Sequence, residues 1–248
     1  MAKEKLTEKI KKRKEELKAR LSAGDIIFIK PDTTLRIRLL NMGEEEEFVK
    51  EVIQFYLGGD IKGIISPATY DQPCKIMEGY NELKEGDDEE KAIAKKFIPR
   101  RKYLTLCALY KDEKGKELDE GNSPKLILLG AKAYQDILDL FLDVNEWGDM
   151  TDPEEGYDLK YSREGSGKTD TVYSIKPCKN TQAPRKFRNK IFNLDEEVKK
   201  VIPSYEQTGE YLNDFLGLDE EEDEKPKKKK LGKKKLKKNL NNNGDLPF

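Results

Sequence analysis

Four stretches of this chain alternate apolar and polar residues with a period of two, and only one long stretch repeats cleanly at the helical period. In "DIIFIKPDTTLRIRLLN" a Pro-Asp turn joins two strands; Leu35, Ile37 and Leu39 face one way, Arg36 and Arg38 the other. "EFVKEVIQFYLGGD" sets Val49, Ile53, Phe55 and Leu57 against Lys50, Gln54 and Tyr56, then stops at a Gly-Gly turn. In "IPRRKYLTLCALYKDEKG" the inward set is Leu104, Leu106, Ala108 and Tyr110, and the outward set Arg101, Tyr103, Thr105 and Cys107. "YDLKYSREGSGKTDTVYSIK" reads as a hairpin around a Gly-rich loop. "SPKLILLG" reads as a short buried strand, and a core of five or six short strands is expected. Such a count suits a small closed or half-open β-barrel better than a doubly wound sheet, which would alternate strand and helix regularly.

Helices are predicted around this core. Tyr134, Ile137, Leu138, Phe141 and Leu142 make an apolar stripe in "AKAYQDILDLFLD". A polar, helical insert spans about 71–98, and "LDEEVKKVI" and "GEYLNDFLGL" form a helical extension over 181–218. Leu6, Ile10, Leu17 and Leu21 give residues 1–22 a thin helical stripe among basic residues, an arm suited to a neighbouring subunit or to nucleic acid. Residues 219–248 are charged, low in complexity and expected to be disordered.

Charge is segregated. The formal net charge of −1 hides +5 over residues 1–20 and +9 over 225–248, leaving −15 for 21–224. Six of those negatives form "DEEEDE" at 219–224. An acidic body with two basic arms points to nucleic acid or another charged partner, bound through a local groove rather than a uniformly basic surface.

Other classes are disfavoured. No apolar run approaches a membrane span, and the N-terminus lacks the apolar stretch of a signal peptide, so no membrane partner and an intracellular, cytoplasmic location are expected. Cys74, Cys107 and Cys178 are isolated and odd in number, which suggests reduced thiols. With no histidine and no CxxC pair, general-base catalysis and structural zinc lose their commonest groups, and no metal, cofactor or enzymatic activity is expected. Gly167-Lys168-Thr169 resembles the end of a phosphate-binding P-loop, but Ser162 stands where that motif needs its first glycine, and strands flank it. The acidic runs "DDEE" and "DPEE" are contiguous, and a metal site needs carboxylates converging from different elements.

Basic and aromatic residues interleave on the outward strand faces. Arg36 and Arg38 share one strand, and Lys50 and Tyr56 another. Lys95, Lys96, Arg100, Arg101 and Tyr103 cluster where the third long strand begins. Tyr157, Tyr161 and Arg163 share one face of the hairpin, Lys168 lies in its loop, and Tyr173 is on the return strand. Single-stranded nucleic acid needs this mixture, because cations follow the backbone while rings stack on bases at roughly 1–3 kcal/mol each. RNA would be read by the same groups, and a polyanion-binding adaptor would use the lysines alone.

"IPRRKYLTLCALY" and "GDMTDPEEGYDLKYSREGSGKTDTVYSIKP" resemble the single-stranded DNA-binding, helix-destabilising proteins of T-even-type tailed phages. The likeness runs from about Gly24 to Pro177. It implies a mainly β protein with an OB-fold, a five-stranded Greek-key barrel, over residues 23–180. It also implies cooperative binding of single-stranded DNA in replication, recombination and repair, with self-association through the basic N-terminal arm and a tail that recruits replication proteins. Family members often carry a zinc-binding insert with Cys and His ligands; here "DQPCKIMEGY" keeps only Cys74, so the insert is expected to persist without metal. The terminal "GDLPF" is similar to the tip of bacterial single-stranded DNA-binding proteins. By that likeness Asp245, Leu246, Pro247 and Phe248 form a partner-binding tip, with the Phe248 ring in an apolar pocket and its carboxylate at a basic rim.

Overall fold

A computed structural model describes residues 26–43, 46–58, 63–112, 114–118, 124–143, 145–166, 170–180 and 182–218. The N-terminal arm, Lys168 and the tail with its tip fall outside the described residues. The described strands are β1 (Ile26–Ile27), β2 (Thr33–Leu39), β3 (Lys50–Phe55), β4 (Ile64–Ile65), β5 (Arg100–Lys111), β6 (Lys125–Leu129), β7 (Tyr157–Glu164) and β8 (Val172–Asn180). The helices are α1 (Lys75–Lys84), α2 (Asp88–Ala94), α3 (Ala131–Leu142), α4 (Arg185–Arg188), α5 (Leu194–Lys200) and α6 (Tyr205–Leu216). None of the described helices is long and apolar enough to cross a membrane.

The chain divides into two compact units. The first holds the described residues up to Lys50 with Leu104–Glu164 and Val172–Glu197. Its strands follow the order β1-β6-β5-β2-β7-β8, with β1 parallel to β6 and β2 antiparallel to both β5 and β7. The sheet is therefore mixed, and the eight strands exceed the five or six expected; β1, expected in "DIIFIK", shrinks to a two-residue pairing, and β4 is a two-residue pairing with no alternation to read. The Pro31–Asp32 turn forms as predicted, with Asp32 at φ 49°, a left-handed conformation that Asp tolerates.

Burial departs from simple alternation. Residues Leu104 to Ala108 of β5 are all buried, so both faces of this strand are covered. The expectation that Thr105 and Cys107 point outward is corrected: both are fully buried, and the Thr105 hydroxyl donates to the Phe48 carbonyl at 2.6 Å. Covering β5 on both sides turns its sequence into a near-continuous core run. Along α3 the buried residues are Ala133 and Ile137, and Leu142 at the helix end is 72% exposed.

The second unit holds the described residues of Glu51–Tyr103, Gly165–Thr171 and the chain from Val198. Here β3 pairs with β4, and α1 packs on α6. Phe97 is the anchor of this unit, with ring contacts to Phe55, Tyr80 and Phe215 at centroid distances of 6.5, 6.0 and 5.1 Å. Helix α2 starts on a reciprocal cap in which Asp87 accepts from the Glu90 N–H and Glu90 accepts from the Asp87 N–H.

Candidate nucleic-acid interface

The register of the first unit assembles a face that no single strand shows. In antiparallel pairs, directly opposed residues project to the same side of the sheet. Lys111 opposes Arg36, Arg36 opposes Lys160, and Lys160 opposes Lys176. Four cations from β5, β2, β7 and β8 thus form one transverse row, about 14 Å long at the usual inter-strand spacing. Lys160 and Lys176 are exposed, and Arg36 and Lys111 are half-buried. Beside it runs a row of hydroxyls, Thr34, Ser162 and Ser174, with Thr34 and Ser162 hydrogen-bonded at 2.9 Å. The opposite side carries Ile37, Leu159, Tyr161 and Ile175, which are buried.

A β-bulge makes this row possible. The register slips between Arg36–Lys111 and Arg38–Ala108, so β5 supplies one more residue than β2 over that interval. Two successive β5 side chains then reach the same neighbourhood: Lys111 joins the row, and the Tyr110 hydroxyl turns to Asp158.

Asp158 holds the row from below. Its side chain is fully buried. It accepts from Arg36 Nε at 2.7 Å and from the Tyr110 hydroxyl at 2.8 and 3.0 Å, and Arg38 Nη1 lies 3.7 Å away. Burial opposes the charge on Arg36, but the hydrogen bond and charge of Asp158 outweigh it and raise its pKa. For Arg38, burial wins over Asp158 and lowers the pKa. Arg38 Nη2 also donates to the Asp152 carbonyl, and a Cβ on Gly156 would come within 2.7 Å of that nitrogen. Arg38 is thus enclosed, whereas Arg36 is pinned at Nε only, and its Nη groups make no hydrogen bond among the described residues.

A cleft of about 330 Å³ opens beside Arg36 and Lys111. Leu35, Leu109 and Leu118 provide apolar wall, while Asp32 and Asp112 balance the two cations.

The remaining predicted site residues scatter. The outward placement of Arg38, Tyr157 and Tyr161 is corrected: at 0%, 0% and 1% exposure they belong to the core and present no ring or guanidinium to solvent. In "YDLKYSRE" alternation produces a Tyr face and a Lys/Ser face, and the larger apolar area of the rings puts the former inside. Tyr161 stacks on half-buried Tyr173 at 6.0 Å, and Arg163 lies 5.8 Å from the Tyr173 ring while donating to the Ile29 carbonyl. Lys50 is paired with Asp195 at 2.9 Å. In the second unit Lys95, Lys96, Arg100 and Arg101 are exposed, and Tyr56 and Tyr103 are half-buried. Arg101 meets Glu51 at 3.6 Å across solvent-exposed side chains, a contact of little energy. Burial, then the charge of Arg100, lowers the pKa of neighbouring Lys102.

Lys111, Lys160 and Lys176 were not among the predicted residues. The signal for Lys160 and Lys176 lay in the hairpin alternation once the Tyr face is assigned inward; Lys111 depends on a bulge that the sequence does not announce. The P-loop-like tripeptide lies outside the described residues, and the next described element after it is strand β8 rather than a helix.

No curated protein matches the chain. A family model described as gp32 DNA binding protein like matches residues 32–216, which include every described strand except β1 and all six helices. That span covers well over half of the sequence, and the chain belongs to the gp32-like family of DNA-binding proteins.

Proposed function

We propose that this protein coats single-stranded DNA, with the polar face of β2, β7 and β8 and the bulged end of β5 as part of its binding surface. The observation that carries the reading is the row Lys111–Arg36–Lys160–Lys176 in a member of a DNA-binding family whose body is otherwise acidic. Phosphates follow cations, and the neighbouring hydroxyls of Thr34, Ser162 and Ser174 can donate to phosphate or sugar oxygens. The exposed set Lys95, Lys96, Arg100 and Arg101, with Tyr56 and Tyr103, is a second proposed contact region, as are Arg163 and Tyr173 at the hairpin end and Lys168 in its loop.

In this reading the sheet and its flanking helices form an OB-type binding core. The N-terminal arm supplies self-association along the strand. The tip Asp245–Phe248 recruits replication and recombination proteins, and "DEEEDE" competes with DNA while the adjoining lysines add non-specific affinity. The work is replication, recombination and repair inside a phage-infected cell, without catalysis.

Competition between matched single-stranded DNA, single-stranded RNA and duplex for the full chain tests this. Single-stranded DNA is expected to displace a labelled strand at the lowest concentration. Equal displacement by duplex would reduce the protein to a polyanion binder, and preference for RNA would move it to an RNA regulator.

A further inference from the structure

We infer that the cleft between β2, β5 and the turn after β5 is a seat for one nucleotide of the bound strand, with its phosphodiester on Arg36 and Lys111 and its base against Leu109 and Leu118. The inference rests on the proposed strand-binding face, because the cleft lies at the Lys111 end of the cationic row.

Three features carry it. First, the volume of about 330 Å³ is at the small end of ligand pockets and matches one nucleotide rather than a run of bases. Second, chemistry is divided within it. Arg36 and Lys111 are direct partners across β2 and β5 and line the cleft together, and Leu109 and Leu118 add apolar wall. Asp32 and Asp112 offset the two cations, so the cleft holds no excess of positive charge and disfavours a polyphosphate. Third, Arg36 is preorganised. Asp158 and the positive-φ turn at Gly115 bracket its guanidinium: Nε is bonded to Asp158, and Nη1 lies 3.0 Å from where a Cβ on Gly115 would stand. The turn itself is fixed, with the Asp112 carboxylate accepting from the Lys114 and Lys116 N–H groups. Leu118 follows that turn and is 42% exposed, so it forms the rim and a larger side chain there fills the cleft without entering the core.

The test uses the full chain, short oligothymidylates with one 2-aminopurine moved through each position, and two variants. Leu118→Trp fills the cleft; Leu118→Ala leaves it open. With the wild type, one register is expected to give a distinct 2-aminopurine emission; Leu118→Ala, which leaves the cleft open but removes one apolar wall, keeps that emission at reduced affinity. With Leu118→Trp that signal is lost and affinity drops about tenfold, within the range of one base contact. The salt slope is kept, since the cations of the row remain. Wild-type affinity and emission in Leu118→Trp would overturn the nucleotide seat while leaving the strand-binding face intact. Failure of the wild type to bind the oligomers at all would remove both. Inorganic phosphate or thymidine monophosphate at millimolar concentration provides the last arm. If either raises the Tm as much as the oligomer does, the cleft is a free-anion site and the inference falls.

Discussion

At the scale of single residues, Asp158 is the centre of the account. A buried carboxylate is tolerated only when its oxygens are occupied, and here two arginines and a tyrosine hydroxyl converge on it. Asp158→Ala leaves Arg38 buried beside a missing counter-charge and is expected to cost about 3–5 kcal/mol in urea unfolding. A cost below about 1 kcal/mol would mean that water substitutes for the carboxylate. Tyr157 behaves oppositely. Its hydroxyl is buried with no hydrogen bond among the described residues, while its ring lies 5.3 Å from that of Trp147. Tyr157→Phe keeps the ring contact and is expected to raise stability by about 1 kcal/mol, leaving DNA affinity unchanged. Burial, with the charges of Asp149 and Asp143, pushes the Tyr157 pKa up to about 12 from 10. The folded state favours the neutral phenol, so its stability is complete below pH 10 and declines as pH rises towards 12. Trp147 emission during alkaline titration should show that decline, and Tyr157→Phe should shift it upward.

Among the elements, the β7–β8 hairpin shows what the sequence could and could not disclose. Both of its strands are legible from alternation, because a half-buried strand must alternate. Which face is buried is not given by period alone, because Tyr157 and Tyr161 can serve as core rings or as stacking platforms; the apolar area of the ring face and the registers with β2 and β8 decide. Helix α3 was legible for the same reason of period, whereas β3 departs from the expected alternation: Val52 and Gln54 are buried and Ile53 is half-buried. The fully covered stretch of β5 was not, since a strand buried on both faces loses its alternation. The β5 bulge is likewise silent in sequence, yet it brings Lys111 to the row. Gly156 is a local check on this geometry. Its Cβ would stand 2.4 Å from the Asp152 carbonyl oxygen and 2.7 Å from Arg38 Nη2, so Gly156→Ala is expected to destabilise by about 1–3 kcal/mol through overpacking. An unchanged thermal midpoint would show that the Asp152 turn yields freely.

On the scale of the whole molecule, the sequence imposes a charge problem: residues 21–224 carry −15, and the binding surface must nevertheless attract phosphates. The structure answers by register, drawing cations from four strands into one row while pairing others, such as Lys50 with Asp195, away from it. The most direct measurement is the salt dependence of binding to a short single-stranded oligomer for the wild type and for Lys160→Ala/Lys176→Ala. Both side chains are exposed, so the double variant is expected to fold normally. Each phosphate contact on a single strand contributes about −0.7 to the log–log slope. The double variant's slope is expected to be shallower by about 1.4, with affinity for single strands reduced at every salt concentration below the crossing point. A slope identical to the wild type's would contradict it, and would place the strand away from this face of the sheet.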